Sequence, residues 1–177
     1  MLEGIHKIHL IGIGGSGMRA IANILIQKGY EVSGSDVKES DVIERFRQMG
    51  ATVHIGHNAD YVQGVDAVVR STAIREDNPE IVAAKEQGIT ILHRSDIVKA
   101  VLDVTNGIAV AGAHGKTSTT SMIGQILVEG QMEPTVIIGG EVDYLKGSSC
   151  LGKGEYSVVE ADDSDGFFLI LRSTKNV

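Results

Sequence analysis

Three short stretches of this chain put residue types where phosphate chemistry needs them. The first is Gly12-Ile-Gly14-Gly15-Ser-Gly17, a G-x-G-x-x-G pattern between an apolar run and a helical one. Glycine permits a tight turn and lets a diphosphate approach the backbone. The start of the following helix supplies N–H donors and partial positive charge. Asp36 stands at the end of the second strand pattern, at roughly the separation where an acid holds a ribose hydroxyl. Gly12, Gly14, Gly15, Gly17 and Asp36 are therefore candidate contacts for a nucleotide diphosphate. In the structural alternative the glycines only permit close helix–strand packing and Asp36 is a turn residue.

The second stretch is Gly112-Ala113-His114-Gly115-Lys116-Thr117-Ser118, again between an apolar run and a helical pattern. This is the logic of an ATP phosphate loop. Backbone N–H groups cradle the phosphates, Lys116 reaches the β and γ oxygens, and the Thr117 hydroxyl ligates Mg²⁺. The common G-x-x-x-x-G-K-[ST] spacing requires Gly at the position of Val110, so this loop is a shortened variant. The third stretch is Glu160-Ala-Asp162-Asp163-Ser-Asp165 at the end of a strand pattern. Carboxylates there can hold Mg²⁺, and Glu160, which closes the apolar run, is the best placed. A solvated acidic loop is the alternative.

Elements that would position these residues follow from periodicity. Residues 7–13 read as a buried strand. Residues 16–28 read as a helix, with Met18, Ile21, Ala22 and Leu25 on one face and Gly29 as its stop. Strand patterns recur at 31–35, 52–55, 67–70 and 90–92, with helices at 41–49, after Asn78-Pro79, and at 95–102. This βαβα rhythm predicts an α/β fold, a Rossmann-like parallel sheet with helices on its faces. The pattern then restarts with a strand at 107–111, a helix at 117–128, and strands at 135–138 and 157–160. Two domains are expected, residues 1–103 and the beginning of a phosphate-loop domain over 104–177. That second part is expected to be incomplete, with an unpaired edge on the strand that carries Glu160.

Composition narrows the partners. Hydrophobic residues are 42% and charged residues 22%, enough for a core and against wholesale disorder. The formal net charge of −7 argues against nucleic acid as the main partner, while leaving a locally built phosphate site open. A single cysteine, Cys150, in a Gly/Ser-rich loop, precludes an internal disulfide and fits a cytoplasmic protein. The apolar start is too short for a membrane span. His6, His9, His54 and His57 lack metal-ligand spacing, and His114 could simply pack within its loop.

Taken in order, the segments IGIGGSGM (11–18), SGSD (33–36), STAI (71–74) with DNP (77–79), AVAGAHGKT (109–117), IGG (138–140) and EADDSD (160–165) resemble the Mur ligase family, most closely its L-alanine-adding branch. The resemblance runs from about residue 6 to residue 169. It implies a Rossmann-like UDP-sugar domain, a central ATPase domain and a C-terminal domain. It also implies an ATP-dependent ligase of peptidoglycan synthesis, with ATP and Mg²⁺ as cofactors and UDP-N-acetylmuramate and L-alanine as substrates. Carried over by position, Gly12, Gly14, Gly15 and Gly17 receive the UDP diphosphate. Residues 112–118 hold ATP, Lys116 acts on the phosphates, and Thr117 and Glu160 ligate Mg²⁺.

The chain departs mildly from the family at Ala113 and Ser118, where threonine is more usual, and at Asp162-Asp163. After Leu169 the text no longer follows the family, so a front portion that binds the sugar nucleotide without turnover is expected. Two rival readings are a non-catalytic UDP-sugar-binding module and a nicotinamide-dependent dehydrogenase. The dehydrogenase has no use for Lys116-Thr117.

Overall fold

Gly12 decides where the first strand stops. Its φ of +73° turns the chain, and the N–H groups of Gly12 and Ile13 both donate to the Ser35 carbonyl, at 2.8 and 3.0 Å. The strand β1 therefore spans Lys7–Ile11, shorter than the apolar run that continues to Ile13. The computed structural model describes residues 2–161 and the backbone of Lys175–Asn176, in two compact units divided between Arg94 and Ser95.

In the first unit β1 pairs in parallel with β2 (Glu31–Asp36) and β4 (Ala67–Arg70); β3 (Thr52–Ile55) and β5 (Thr90–His93) flank them, in the order β3-β2-β1-β4-β5. That order reverses between β1 and β4, the place where open α/β sheets present a crevice at their strand C-termini. Helices α1 (Ser16–Gln27), α2 (Asp41–Gln48) and α3 (Pro79–Glu86) connect the strands, with a short 3₁₀ turn at Ala59–Val62. Local chemistry explains the starts. The Ser40 side chain accepts from Ile43 N–H, and Asn78 accepts from Glu80 N–H ahead of Pro79. Alternate residues of β1 serve opposite faces, and Ile11 packs with Val62, Val68, Ile81, Ala83 and Ala84 beneath α3.

The second unit carries α4 (Arg94–Leu102) from Ser95 onward, so the units part earlier than the expected boundary at residue 103. Packing explains the difference: a Cβ on Gly107 would stand 2.6 Å from Leu102 Cδ2, so the end of α4 lies tight against β6 (Asn106–Val110). Strands β6, β9 (Tyr156–Glu160) and β7 (Thr135–Val142) are parallel. Helix α5 (Lys116–Glu129) follows β6.

Two expectations are corrected here. The Gly/Ser-rich stretch containing Cys150 is a strand, β8 (Gly147–Cys150), antiparallel to β7. Its Ser148 and Ser149 are buried, and serine gives little apolar signal from which to read a strand. The strand that carries Glu160 has no free edge, because β9 lies between β6 and β7 in the order β10-β6-β9-β7-β8, where β10 is Lys175–Asn176. Burial pushes the Cys150 thiol above its ordinary value, which suits a packing residue.

Asp66 anchors the start of β1: its Oδ2 accepts from His6 N–H at 2.7 Å and Lys7 N–H at 2.8 Å. The backbone bonds from Lys7 and His6 hold its carboxyl below the ordinary value of 3.8. A depressed carboxyl stabilises the fold above its unfolded value, and that contribution disappears as pH falls through the folded value. Asp66→Asn should therefore lower the Tm at neutral pH, and the gap from the parent should begin to narrow as pH drops below 3.8 and close only below the depressed folded value. Thermal melts across pH check this; a gap independent of pH would contradict it.

Candidate functional site

The glycine turn is built on β1 and latched to β2. Gly15 N–H donates to Gly12 O at 3.0 Å, which tightens the loop, and Gly15 then caps α1 without any side-chain cap. Asp36 is engaged at both oxygens: Oδ2 accepts from Gly14 N–H at 2.9 Å and Oδ1 from Val37 N–H at 2.8 Å. Each oxygen retains a further lone pair, so Asp36 can latch the loop and still meet a hydroxyl. A Cβ on Gly14 would come within 3.0 Å of Asp36 Oδ2. At Gly17 a Cβ would stand 1.9 Å from Arg94 Nη1, so the Arg94 guanidinium lies against the first turn of α1. The structure thus brings Gly12, Gly14, Gly15, Gly17 and Asp36 together at one strand end.

Sequence reading missed the residues beneath this loop. Glu80 and His9 are wholly buried, with His9 Nε2 on Glu80 Oε2 at 2.8 Å and His57 Nδ1 on Glu80 Oε1 at 2.8 Å. The Ser35 hydroxyl donates to Glu80 Oε2 at 2.7 Å. Burial alone would push the Glu80 carboxyl up, but bonds from His9, Ser35 and His57 outweigh it and leave the group below its ordinary value. His9, a polar residue inside the apolar strand β1, was the available signal.

In the second unit the loop 112–118 follows β6. Gly115 has a φ of +76° and caps α5, and Gly112 has a φ of +147°. Lys116 Nζ donates to Gly112 O at 2.7 Å, folding its cation back over the loop, while Ala113, His114, Gly115 and Ser118 are exposed. The Thr117 hydroxyl donates to Glu160 at 3.0 and 3.1 Å, and Gly139 N–H donates to Glu160 Oε2 at 2.8 Å. Residues distant in sequence thus meet across three adjacent elements. Asp162, Asp163 and Asp165 lie outside the described residues.

Among the described residues no group of three or more His, Cys, Asp or Glu side chains is arranged to hold a metal. Thr117 and Glu160 offer two hard oxygens. That donor set fits Mg²⁺, which commonly takes one or two protein oxygens and fills its octahedron with phosphate and water.

The geometry defines a class: an α/β protein with a glycine-turn sheet and a separate phosphate-loop sheet. Comparison with known proteins makes it specific. Residues 7–104 match the model of the "Mur ligase family, catalytic domain", and the chain belongs to the Mur ligase family. It is 46% identical over 174 residues to a UDP-N-acetylmuramate–L-alanine ligase of Trichlorobacter lovleyi, which covers 98% of this chain and 38% of that protein. It is 47% identical over 177 residues to the ligase of the same name from Solidesulfovibrio magneticus, covering 100% of this chain and 39% of the relative. The chain thus spans well under half the length of the curated relatives it matches.

Among solved structures, the UDP-N-acetylmuramate-alanine ligase of Thermotoga maritima superposes with a TM-score of 0.89 at 35% identity, covering 96% of this chain and 40% of that one. A UDP-N-acetylmuramate:L-alanyl-gamma-D-glutamyl-meso-diaminopimelate ligase of Neisseria meningitides also gives 0.89, at 26% identity, covering 98% and 60%. No helix among the described residues is long and apolar enough to cross a membrane.

Thr117→Val keeps the side-chain volume and removes the hydroxyl that bonds Glu160. The pair is partly exposed, so the loss should be modest, about 1 kcal/mol. Urea denaturation followed by a probe in the second unit checks this, and a stability equal to the parent would show that the contact contributes nothing.

Proposed function

We propose that the chain provides the sugar-nucleotide unit and the phosphate-loop unit of an ATP-dependent UDP-N-acetylmuramate–L-alanine ligase of peptidoglycan synthesis. In this reading residues 1–103 bind UDP-N-acetylmuramate, and residues 104–177 are the first part of the central ATP-binding domain. The observation that carries the reading is the Thr117–Glu160 contact beside left-handed Gly115, downstream of the glycine-turn sheet. A dehydrogenase would need the glycine-turn sheet and have no use for the Thr117–Glu160 contact.

The chemistry follows from the parts. The muramyl carboxylate oxygen attacks the γ-phosphorus of ATP, the bond to the β-γ bridging oxygen breaks, and ADP leaves with an acyl phosphate remaining. The amine of L-alanine then attacks the acyl carbon, phosphate leaves, and the amide forms. Such transfers depend on positioning and on countering charge. Lys116 would leave Gly112 O for the β and γ oxygens. Backbone N–H groups of residues 112–118 would cradle the phosphates. Thr117 and Glu160 would hold Mg²⁺, which when bound supplies charge neutralisation at those phosphates.

Calorimetry with UDP-N-acetylmuramate and, in parallel, fluorescence titration with NADH test the first unit. The sugar nucleotide should bind and NADH should not. Gly14→Val should weaken the sugar nucleotide at least about tenfold, near 1.4 kcal/mol, because its side chain displaces the Asp36 latch and crowds the diphosphate. A folded Gly14→Val variant with parental affinity would refute the diphosphate role. Lys116→Ala should cost ATP roughly 1.5–3 kcal/mol, the worth of a hydrogen bond to a charged group. Ligation at parental rate by a full-length protein bearing that change would sink the ATP assignment.

A further inference from the structure

The buried group Glu80–His9–Ser35–His57 has a geometry that packing alone does not require. A carboxylate with no exposed surface is costly unless donors satisfy it, and well-packed apolar residues would serve stability as well or better. Here three donors converge: His9 Nε2 and the Ser35 hydroxyl on Oε2, and His57 Nδ1 on Oε1. An ionised carboxylate only accepts, so both ring nitrogens facing it carry protons. Neutral His9 is then fully satisfied, since its Nδ1 lies 2.9 Å from the Ser33 hydroxyl and can accept from it.

His57 differs. With Nδ1–H turned to Glu80, the neutral ring keeps a bare lone pair on Nε2, which makes no hydrogen bond to the described residues, and 22% of the side chain is exposed. His57 follows Gly56, whose N–H donates to Asp36 O at 2.7 Å. It therefore stands beside the strand end that latches the glycine turn. Ser35 links the same carboxylate to that turn from below: its hydroxyl goes to Glu80, and its carbonyl accepts from Gly12 and Ile13.

We propose that Glu80 is a positioning residue of the sugar-nucleotide site, fixing His57 as the Nδ1–H tautomer with Nε2 offered as an acceptor, and fixing Ser35 beneath the glycine turn. The group His57 accepts from is an N–H or O–H donor of the ligand, a class that includes the imide of uracil and the hydroxyls of ribose. This rests on the reading of the first unit as a UDP-sugar site. It is the same arrangement by which a second carboxylate orients a histidine in metal sites and catalytic triads.

The test pairs a readout on the protein alone with one on binding. Long-range proton–nitrogen spectra of the histidine rings should show neutral His57 as the Nδ1–H tautomer. Glu80→Gln keeps the shape but sets an amide NH₂ against donors, so one histidine must lose its lock. That variant should disturb the His57 tautomer and the Gly12 and Ile13 amide signals, and weaken UDP-N-acetylmuramate by up to roughly tenfold, the upper end of what one neutral hydrogen bond contributes. If Glu80→Gln does not fold, His57→Phe, which keeps a ring and removes the acceptor, should fold and show the same weakening. An Nε2–H tautomer in the parent, or parental affinity in a folded variant of either kind, overturns the proposal. A parent with the Nδ1–H tautomer that takes up no UDP-N-acetylmuramate overturns the sugar-nucleotide reading, and the positioning role with it.

Discussion

The Ser35 carbonyl meets two N–H groups of the glycine turn, and the rest of the first unit is arranged around that junction. A chain leaving β1 must turn sharply to start α1, and Gly12 allows it by adopting a conformation other residues resist. A turn of that kind needs its freed N–H groups satisfied, and the neighbouring strand supplies the acceptor. Asp36 then secures Gly14 from the same strand. Position in the parallel order β3-β2-β1-β4-β5 makes this possible, because β2 ends beside β1 at the same level. Below the junction the Glu80 carboxylate ties β1, β2, α3 and the turn after β3 into one hydrogen-bonded group.

The second unit solves a related problem by different means. Its loop is closed by its own side chains: Lys116 bonds Gly112 O, and Thr117 bonds Glu160. Glycine at 139 and 140 keeps β7 close to this pair, since a Cβ at either position would press on Glu160 or Thr117 at 3.1 and 3.3 Å. These contacts use the groups that a nucleotide and Mg²⁺ would claim. On the proposed reading, binding would exchange internal hydrogen bonds for ligand contacts without first having to build the loop.

Much of this was legible in sequence, because glycine spacing and apolar runs report backbone demands directly. The strands of the first unit and the helix cap at Asn78 follow from local patterns. What stayed hidden depends on contacts between distant residues. Strand β8 carries buried serines and so lacks an apolar signature. The packing of α4 with the second unit depends on how Leu102 meets Gly107. Glu80 looks like an ordinary first-turn acid of a helix, and only the fold sets it against two histidines, one from β1 and one from the turn after β3.

The central claim is that the glycine turn at the end of β1 receives the diphosphate of a UDP-sugar. The most direct measurement is an amide-resolved NMR titration of the chain with UDP-N-acetylmuramate, with NADH as the parallel ligand. The account predicts saturable shifts concentrated at residues 12–17, with His57 and Asp36 following at the same ligand concentration. Shifts there with NADH and none with the sugar nucleotide, or sugar-nucleotide shifts scattered away from that turn, would contradict it.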